Sequence, residues 1–312
     1  MKIIVTGALG HIGSRLVREL PFSFPDSEII MVDNMMTQRY CSLFNLPKEG
    51  NYHFIEEDIT QLDLHLLLAG AHVVIHLAAI TDAAGNFNRA EQLEQNNFIS
   101  TKRLAEACAK SGVRLLTLSS TSVYGTQSEV VDEECAEEEL KPQSPYASTK
   151  LKEERFVQQL VKENGLKAST FRFGTIFGVS PGIRFHTAVN KFCWQAAMGQ
   201  AITVWRTAYD QKRPYLDLND AVRAIAFVID KDLFTGLIYN VVTVNATVRQ
   251  VVEAIRAHVP SLQVEFVDSQ IMNQLSYEVL NTRFAEAGFN VSGNLVQGIA
   301  DSMSLLKNAN HG

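Results

Sequence analysis

The chain of 312 residues is 46% hydrophobic and 20% charged, which is enough material for one large globular domain or two modest ones. Its net charge of −6 and pI near 5.8 argue against a nucleic-acid-binding protein, because such proteins are usually basic. The sequence has no run of about 18 apolar residues, so no membrane span is predicted, and the N-terminus lacks a signal-peptide pattern. Four scattered cysteines without a C-x-x-C pair predict reduced thiols and no metal site, so we expect a cytoplasmic protein.

The first predicted element is a buried strand from Lys2 to Thr6, which leads into a glycine-rich turn and a helix. Gly7, Gly10 and Gly13 form a G-x-x-G-x-x-G pattern between the two. Such a turn lets the backbone approach a pyrophosphate closely, and the amides at the helix N-terminus attract its phosphates. The pattern therefore predicts a dinucleotide-binding turn.

Asp33 follows the second predicted strand, Glu28 to Val32, about 20 residues after the last of these glycines. An acidic residue there hydrogen-bonds the adenosine ribose and repels a 2′-phosphate, which favours NAD over NADP. The alternative is that Asp33 only caps a turn.

Strands and helices alternate along the next part of the chain. The predicted strands are residues 52–56, 72–76, 114–118 and 168–173, and residues 89–111 are a predicted helix. This alternation predicts an α/β fold with a Rossmann-type doubly wound parallel sheet. Small residues at the end of the fourth strand would let a flat ligand approach, and His76 there reads as a satisfied structural histidine.

Tyr146 and Lys150 stand four residues apart at the start of another predicted helix, so they share one helix face. A neighbouring ammonium favours the phenolate and should lower the pKa of the phenol. Such a phenol accepts a proton from an alcohol that loses hydride. The alternative is an exposed pair on an amphipathic helix, because Y-x-x-x-K alone is a common pattern.

The sequence changes character beyond Gly178, where loops and shorter elements replace the regular alternation. We expect a nucleotide-binding domain over residues 1–178 and a smaller C-terminal substrate-binding lobe over residues 179–312, although the chain could cross back to the sheet. No flexible linker separates the two parts.

Taken in order, the motifs resemble the extended short-chain dehydrogenase/reductase family, specifically its nucleotide-sugar epimerase/dehydratase members. The resemblance covers nearly the whole chain and rests on VTGALGHIG, VDN, EEDI, HLAA, NNFISTKRL, LSSTSVYG, SPYASTK, FRFGTIFG and RPYLDLNDA. It implies a homodimer built on the helices of residues 89–111 and 146–163, with NAD as cofactor and a nucleotide-diphosphate sugar as substrate.

The resemblance also assigns roles to single residues. It implies Ser120, Tyr146 and Lys150 as the catalytic set. It implies NAD contacts from Gly7, Gly10, His11, Ile12, Gly13, Asp33, Asn34, Asp58, Ile59, Leu77, Ala78, Ala79, Asn97, Tyr146 and Lys150. It implies substrate contacts from Thr81, Ser122, Thr175, Arg184, Asn190 and Arg213.

Departures from the family's motifs narrow the expected reaction. Sugar 4,6-dehydratases carry acidic residues just after the catalytic Ser or Thr, where this chain has Thr121 and Ser122. Thr175 stands where UDP-galactose 4-epimerase-like members carry an asparagine, which leaves the sugar open. We expect a 4-epimerase that works through a transient 4-keto sugar. The alternatives are a dehydratase, dehydrogenase or ketoreductase and, more remotely, a non-catalytic NAD-sensing module.

Overall fold

The computed structural model describes residues 1–81, 90–125, 129–268 and 276–309, with side chains in the helix that begins at Ala90 described from Asn96 onward. The strands are β1 (Lys2–Thr6), β2 (Glu28–Asp33), β3 (Asn51–Glu56), β4 (Val73–His76), β5 (Arg114–Ser120), β6 (Val130–Val131), β7 (Ala168–Phe173), β8 (Thr175–Phe177), β9 (Ile202–Trp205), β10 (Lys212–Asp217), β11 (Ile238–Val241), β12 (Val244–Thr247), β13 (Val264–Val267) and β14 (Glu278–Val279). The helices are α1 (His11–Ser23), α2 (Leu64–Leu68), α3 (Ala90–Ser111), α4 (Pro145–Asn164), α5 (Ala188–Ala197), α6 (Leu218–Asp230), α7 (Val248–Arg256), α8 (Thr282–Glu286) and α9 (Leu295–Leu306).

Seven parallel strands form the central sheet, in the order β3-β2-β1-β4-β5-β7-β11. Ile3, Ile4 and Val5 of β1 are completely buried, because helices cover both faces of the sheet. α1 and α6 pack together on one face, and α2, α3 and α4 cover the other. The predicted doubly wound parallel sheet is confirmed. The strand order reverses between β1 and β4, so a ligand crevice is expected at their carboxyl ends.

The predicted elements agree with the observed ones to within about two residues at their ends. Asp33 is the last residue of β2 rather than the residue after it. Cys108 lies in the core as predicted, and the four cysteines are unpaired. Residue 89, the first residue of the predicted helix 89–111, lies outside the described residues. No helix in the described ranges is long and apolar enough to cross a lipid bilayer.

The C-terminal lobe is built mainly from short elements that follow β7. β10 pairs in parallel with β8 and antiparallel with β12, while α5, α7 and α9 enclose a separate apolar core. Thr247 caps α7, in a reciprocal arrangement with Gln250. β11 then pairs in parallel with β7, so the chain returns to the central sheet after entering the lobe. The division into domains at Gly178 stays a prediction.

A buried ion pair joins α4 to the sheet. Arg172 of β7 donates from Nε and Nη2 to the Glu154 carboxylate at 2.7–3.2 Å, and both side chains are buried. The guanidinium also lies over the ring of Tyr124, 4.8 Å from the centroid. Burial alone would lower the pKa of Arg172, but the bonds to Glu154 raise it above its usual value. The pair therefore stays charged and fixes the helix that carries Tyr146.

Removal of one member of this pair should destabilise the fold strongly. Arg172→Met leaves the Glu154 carboxylate buried without its partner, which typically costs about 3–5 kcal/mol. The free energy of unfolding, measured by urea denaturation, should fall by that amount. Arg256→Met is the control, because Arg256 forms a solvent-exposed pair with Glu253 and its loss should matter little. Equal effects of the two substitutions would contradict the structural role of the buried pair.

Candidate active site

The site begins at the turn between β1 and α1. Gly7 has a φ of 65°, and a Cβ built on it would lie 2.7 Å from the backbone nitrogen of Ala78, so only glycine fits. Gly10 is the N-cap residue of α1, and it has no side chain that could cap the helix. The amides of the first helical turn are therefore available to a bound group, and the positive end of the helix dipole favours an anion.

A cavity of about 280 Å³ opens at the carboxyl ends of the central strands, directly in front of this turn. Many residues predicted to contact cofactor or substrate line it, namely Gly7, Gly10, His11, Ile12, Gly13, Asp33, Asn34, Asp58, Ile59, Leu77, Ala78, Ala79, Thr81 and Arg184. Arg39 and His186 also line the cavity and were missed from the sequence. Both lie in loops without periodicity, so no local signal identifies them.

Three polar residues form the end of the cavity beside β2 and β3. The Asp33 carboxylate accepts from the amides of Leu9 and Met35, each at 3.0 Å, so Asp33 both lines the cavity and caps its turn. Asn34 donates through Nδ2 to Asp58 Oδ2 at 2.9 Å. Although burial opposes ionisation of Asp58, hydrogen bonds from Thr60 and Asn34 lower its pKa. This end offers carboxylate acceptors for ribose and adenine donors.

The opposite wall is backbone held in place by buried polar side chains. The Asn97 side-chain amide bonds both the nitrogen and the oxygen of Ile80, at 2.8 and 2.9 Å, which fixes the backbone next to Leu77–Ala79. Its contact with NAD stays a prediction. His76 bonds Thr6 through Nδ1 at 2.7 Å and Thr101 through Nε2 at 3.2 Å. Burial lowers its pKa to about 3, so His76 is a neutral, satisfied histidine, and the structural prediction is confirmed.

Tyr146 lies in the first turn of α4. Ser144 accepts from the amide of Ala147 at 3.1 Å and Pro145 starts the helix, so the local sequence fixes where it begins. Lys150 follows one turn later, with Nζ 5.9 Å from the centre of the Tyr146 ring. Lys150 is buried and Tyr146 is half-buried. The alternative prediction, that this pair lies exposed on the helix surface, is therefore wrong for Lys150.

The pKa of Tyr146 in this structure is raised, whereas the sequence predicted a lowered value. Burial raises it most, the Lys150 charge lowers it, Glu153 raises it and Arg184 lowers it. The spacing of Tyr146 and Lys150 predicts only the effect of the ammonium. Burial and the carboxylate of Glu153, whose Oε2 accepts from Lys150 Nζ at 2.8 Å, reverse the direction of the shift.

Ser120 ends β5, and the turn that follows it packs against α4. Its hydroxyl accepts from the amide of Ser122 at 3.2 Å and from the Ser122 hydroxyl at 2.9 Å. Both serines are half-buried. Thr121 is buried and bonds the carbonyl of Phe173 at 3.3 Å.

The loop that follows β8 closes the cavity from the side of the lobe. Arg184 hydrogen-bonds the hydroxyl of Thr81, which joins the two sides of the cavity. Asn190, a predicted substrate contact, is buried and bonds the amide of Gly178 at 3.2 Å and the carbonyl of Arg184 at 3.0 Å. Its amide therefore shapes the loop, and its substrate contact stays a prediction.

Two further predicted substrate residues lie on the small sheet of the lobe. Thr175 opens β8 and pairs with Tyr215 of β10. Arg213, near the start of β10, bonds the Gln211 side chain at 2.7 Å and stacks near Tyr277, with 5.8 Å to the ring centre. Arg213 does not line the cavity of the glycine turn. Its contact with a diphosphate stays a prediction.

The residues around the cavity fit NAD. The uncapped helix N-terminus lies beside Arg39, and burial and the charge of Arg184 lower the pKa of Arg39. An anion such as a pyrophosphate would relieve this repulsion between two guanidinium groups. The acidic end suits an adenosine, and the wall at Leu77–Ala79 suits a nicotinamide.

Known proteins share both this sequence and this fold. A model of the NAD dependent epimerase/dehydratase family matches residues 3–241. The chain is 31% identical over 250 residues to the uncharacterized UDP-glucose epimerase YtcB of Bacillus subtilis, which covers 77% of this chain and 76% of that protein. The UDP-glucuronic acid 4-epimerase of Bacillus cereus, crystallised with UDP-glucuronic acid and NAD, superposes with a TM-score of 0.87 over 99% of this chain and 100% of its own. The two amino-acid sequences are 24% identical, so the likeness concerns the fold.

A plant relative is much longer than this chain. The trifunctional UDP-glucose 4,6-dehydratase/UDP-4-keto-6-deoxy-D-glucose 3,5-epimerase/UDP-4-keto-L-rhamnose-reductase of Arabidopsis thaliana is 28% identical over 319 residues, which covers 97% of this chain but 46% of that protein. The chain thus spans about half the length of this relative.

The family model and the Bacillus subtilis relative together show that the chain belongs to the NAD-dependent epimerase/dehydratase family, whose cofactor is NAD.

Proposed function

We propose that the protein is a nucleotide-sugar 4-epimerase that keeps its NAD bound and works through a transient 4-keto sugar. The observation that carries this proposal is the Tyr146–Lys150 pair on α4, with Thr121 and Ser122 where a dehydratase carries acids. α4 packs against the turn after Ser120, and Tyr146 feels the charge of Arg184, which lines the cofactor cavity. An acid–base pair with no acid at positions 121 and 122 supports removal and return of hydride at one carbon.

Each residue has a defined task in this proposal. NAD, held by the glycine turn and the acidic end of the cavity, would supply the site that takes up and gives back the hydride of the sugar C4. Tyr146 takes the proton of the C4 hydroxyl during oxidation and gives it back during reduction. The Lys150 ammonium stabilises the phenolate and binds the nicotinamide ribose. Ser120 donates a hydrogen bond to the reacting oxygen and keeps it in line with Tyr146.

The carboxylates of the cavity support epimerisation over dehydration. Removal of water from C5 and C6 needs an acid or base close to the sugar ring. Asp33, Glu57 and Asp58 line the cavity, but they lie at the ends of β2 and β3. β5, which leads to Ser120, stands three strand spacings from β2, or about 14 Å. Those carboxylates therefore serve the adenosine end.

The substrate in this proposal is a UDP-hexose, because the Bacillus subtilis and Arabidopsis thaliana relatives are both named for UDP-glucose. Arg184 and Arg213 would hold its diphosphate, Thr175 and Ser122 would face the sugar, and rotation of the 4-keto sugar about the fixed diphosphate would present its other face. We further propose that the enzyme works in the cytoplasm, as a homodimer.

The path of the C4 hydrogen tests the reaction. UDP-glucose and UDP-glucuronic acid, each deuterated at C4, should give the C4 epimer with deuterium retained at C4 and no added NAD consumed. Mass spectrometry and proton NMR measure both. Tyr146→Phe removes the base and should lower turnover by about 100-fold or more while NAD still binds. A product that has lost water, or NADH that accumulates with product, would replace the epimerase by a dehydratase or a dehydrogenase.

Charge at Asp33 should set the cofactor preference. Asp33→Asn keeps one oxygen, which can accept from the amide of Leu9 or of Met35, but removes the charge that repels a 2′-phosphate. The ratio of the NADP Kd to the NAD Kd, measured by calorimetry, should fall by about tenfold, or ~1.4 kcal/mol. Glu56→Gln, an exposed charge at the end of β3 outside the cavity, is the control and should leave this ratio unchanged. Tighter binding of NADP than NAD by the native protein would refute the assignment.

The helices α3 and α4 should form the dimer interface. They pack side by side, Phe98 meets Phe156 with ring centres 5.7 Å apart, and Ile99 is 45% exposed beside them. Light scattering should give about twice the chain mass of 34.7 kDa, and Ile99→Asp should shift it towards the monomer. Leu66→Asp changes an exposed leucine on α2 and serves as the control. A monomer mass at every concentration would exclude the dimer.

A further inference from the structure

Glu153 is a buried acid that the proposed mechanism leaves without a task. It lies on α4 one turn beyond Lys150, is 4% exposed, and accepts from Lys150 Nζ through Oε2 at 2.8 Å. Its other oxygen, Oε1, is buried and has no hydrogen-bond partner among the described residues. A buried carboxylate with one unsatisfied oxygen costs stability, so a purely structural role explains it poorly.

We propose that Glu153 is a positioning residue that acts through Lys150: its buried carboxylate fixes the ammonium and supplies the negative charge that keeps Tyr146 protonated until a further positive charge enters the site. The catalytic consequence rests on the proposed function, whereas the charge balance itself does not.

Tyr146, Lys150 and Glu153 form one cluster around the buried Lys150 ammonium. Their total charge is zero when Tyr146 is neutral, because the Lys150 ammonium and the Glu153 carboxylate cancel. Loss of the phenol proton therefore leaves a net negative charge in a place of low polarity. Burial alone would lower the pKa of Lys150, but Glu153 raises it, which keeps the ammonium charged. Without Glu153 the same deprotonation would remove a buried positive charge and would become easier.

Three other groups lie around the pair, and of these Arg184 opposes the effect of Glu153 on Tyr146. Glu154 also faces Lys150, but it is engaged by Arg172. His76, on β4, is neutral because burial lowers its pKa to about 3. Arg184, from the loop after β8, acts on Tyr146 from the cavity side. Glu153 is therefore the carboxylate that balances Lys150 directly.

This balance suits a redox-neutral enzyme that needs Tyr146 as a base and then as an acid. Oxidised NAD carries a positive nicotinamide, and reduced NAD a neutral one. With Glu153 present, Tyr146 loses its proton more readily beside the oxidised form and holds it beside the reduced form. Tyr146 would thus accept a proton only when the sugar can also lose hydride.

The test measures the protonation of Tyr146 directly. The full chain, with ¹³C at the tyrosine ζ carbon, is titrated by NMR while saturated with NADH or with NAD, and Tyr146→Phe assigns the signal. Glu153→Gln keeps the shape and an acceptor oxygen for Lys150 but removes the charge. Glu163→Gln makes the same change at an exposed position of α4 and is the matched control. Glu153→Asp keeps the charge.

With NADH bound, we expect the midpoint of Tyr146 in Glu153→Gln to lie at lower pH than in the native protein. Glu163→Gln should match the native protein, and Glu153→Asp should stay near it. An unchanged midpoint in Glu153→Gln would overturn the proposal, as would Glu153→Asp titrating as low as Glu153→Gln. No sugar is needed, so a failed epimerase assay would not affect this result. If the epimerase assay succeeds, the acid limb of the pH profile of turnover should move to lower pH in Glu153→Gln.

Discussion

The cofactor cavity depends on direct packing of backbone against backbone where the turn after β1 meets the end of β4. A Cβ on Gly7 would collide with Ala78, and one on Gly13 would lie 2.4 Å from the carbonyl oxygen of Gly7. No side chain can stand between these segments. The N-terminus of α1 therefore reaches the carboxyl edge of the sheet, where its amides face the cavity. Cofactor binding thus follows from a steric constraint on a few residues.

A second constraint is electrostatic and lies on the other side of the cavity. α4 carries the Lys150 ammonium into the interior, where a charge without a counter-ion is expensive. Glu153 supplies the counter-ion, while the Arg172–Glu154 pair fixes the same helix to β7. The catalytic tyrosine of the proposed mechanism thus stands on a helix that is held to β7 by one buried ion pair and carries a second within itself.

The lobe and the glycine turn are joined through the loop after β8. Ser180 donates to the carbonyl of His11 at 2.8 Å, His11 Nε2 bonds the carbonyl of Gly178 at 2.9 Å, and the amide of Gly182 donates to Ser14 Oγ at 2.9 Å. Burial lowers the pKa of His11 to about 4, so this link stays uncharged at neutral pH. These bonds therefore fix the loop that carries Arg184 against α1, the helix that faces the cofactor. A sugar held by the loop would keep a fixed distance from NAD.

The sequence alone determined those features that depend on a few neighbouring residues. Alternating strand and helix patterns predicted the parallel sheet, the glycine spacing predicted the turn, and Ser144 with Pro145 fixed the start of α4, because caps and periodicity act within one or two turns. The end of β2 likewise placed Asp33 at the cavity. The positions of Tyr146 and Lys150 on one helix face followed from their spacing.

Only the tertiary structure decided the proton affinity of Tyr146. Its sign depends on burial by segments distant in the chain and on whether Glu153, one turn from Lys150, faces the interior or the solvent. The same holds for Arg39 and Arg184, which meet at the cavity from loops far apart in sequence, and for β11, which returns to the sheet beside β7. Electrostatic energies depend on the polarity of the surroundings, and that polarity exists only once the chain has packed.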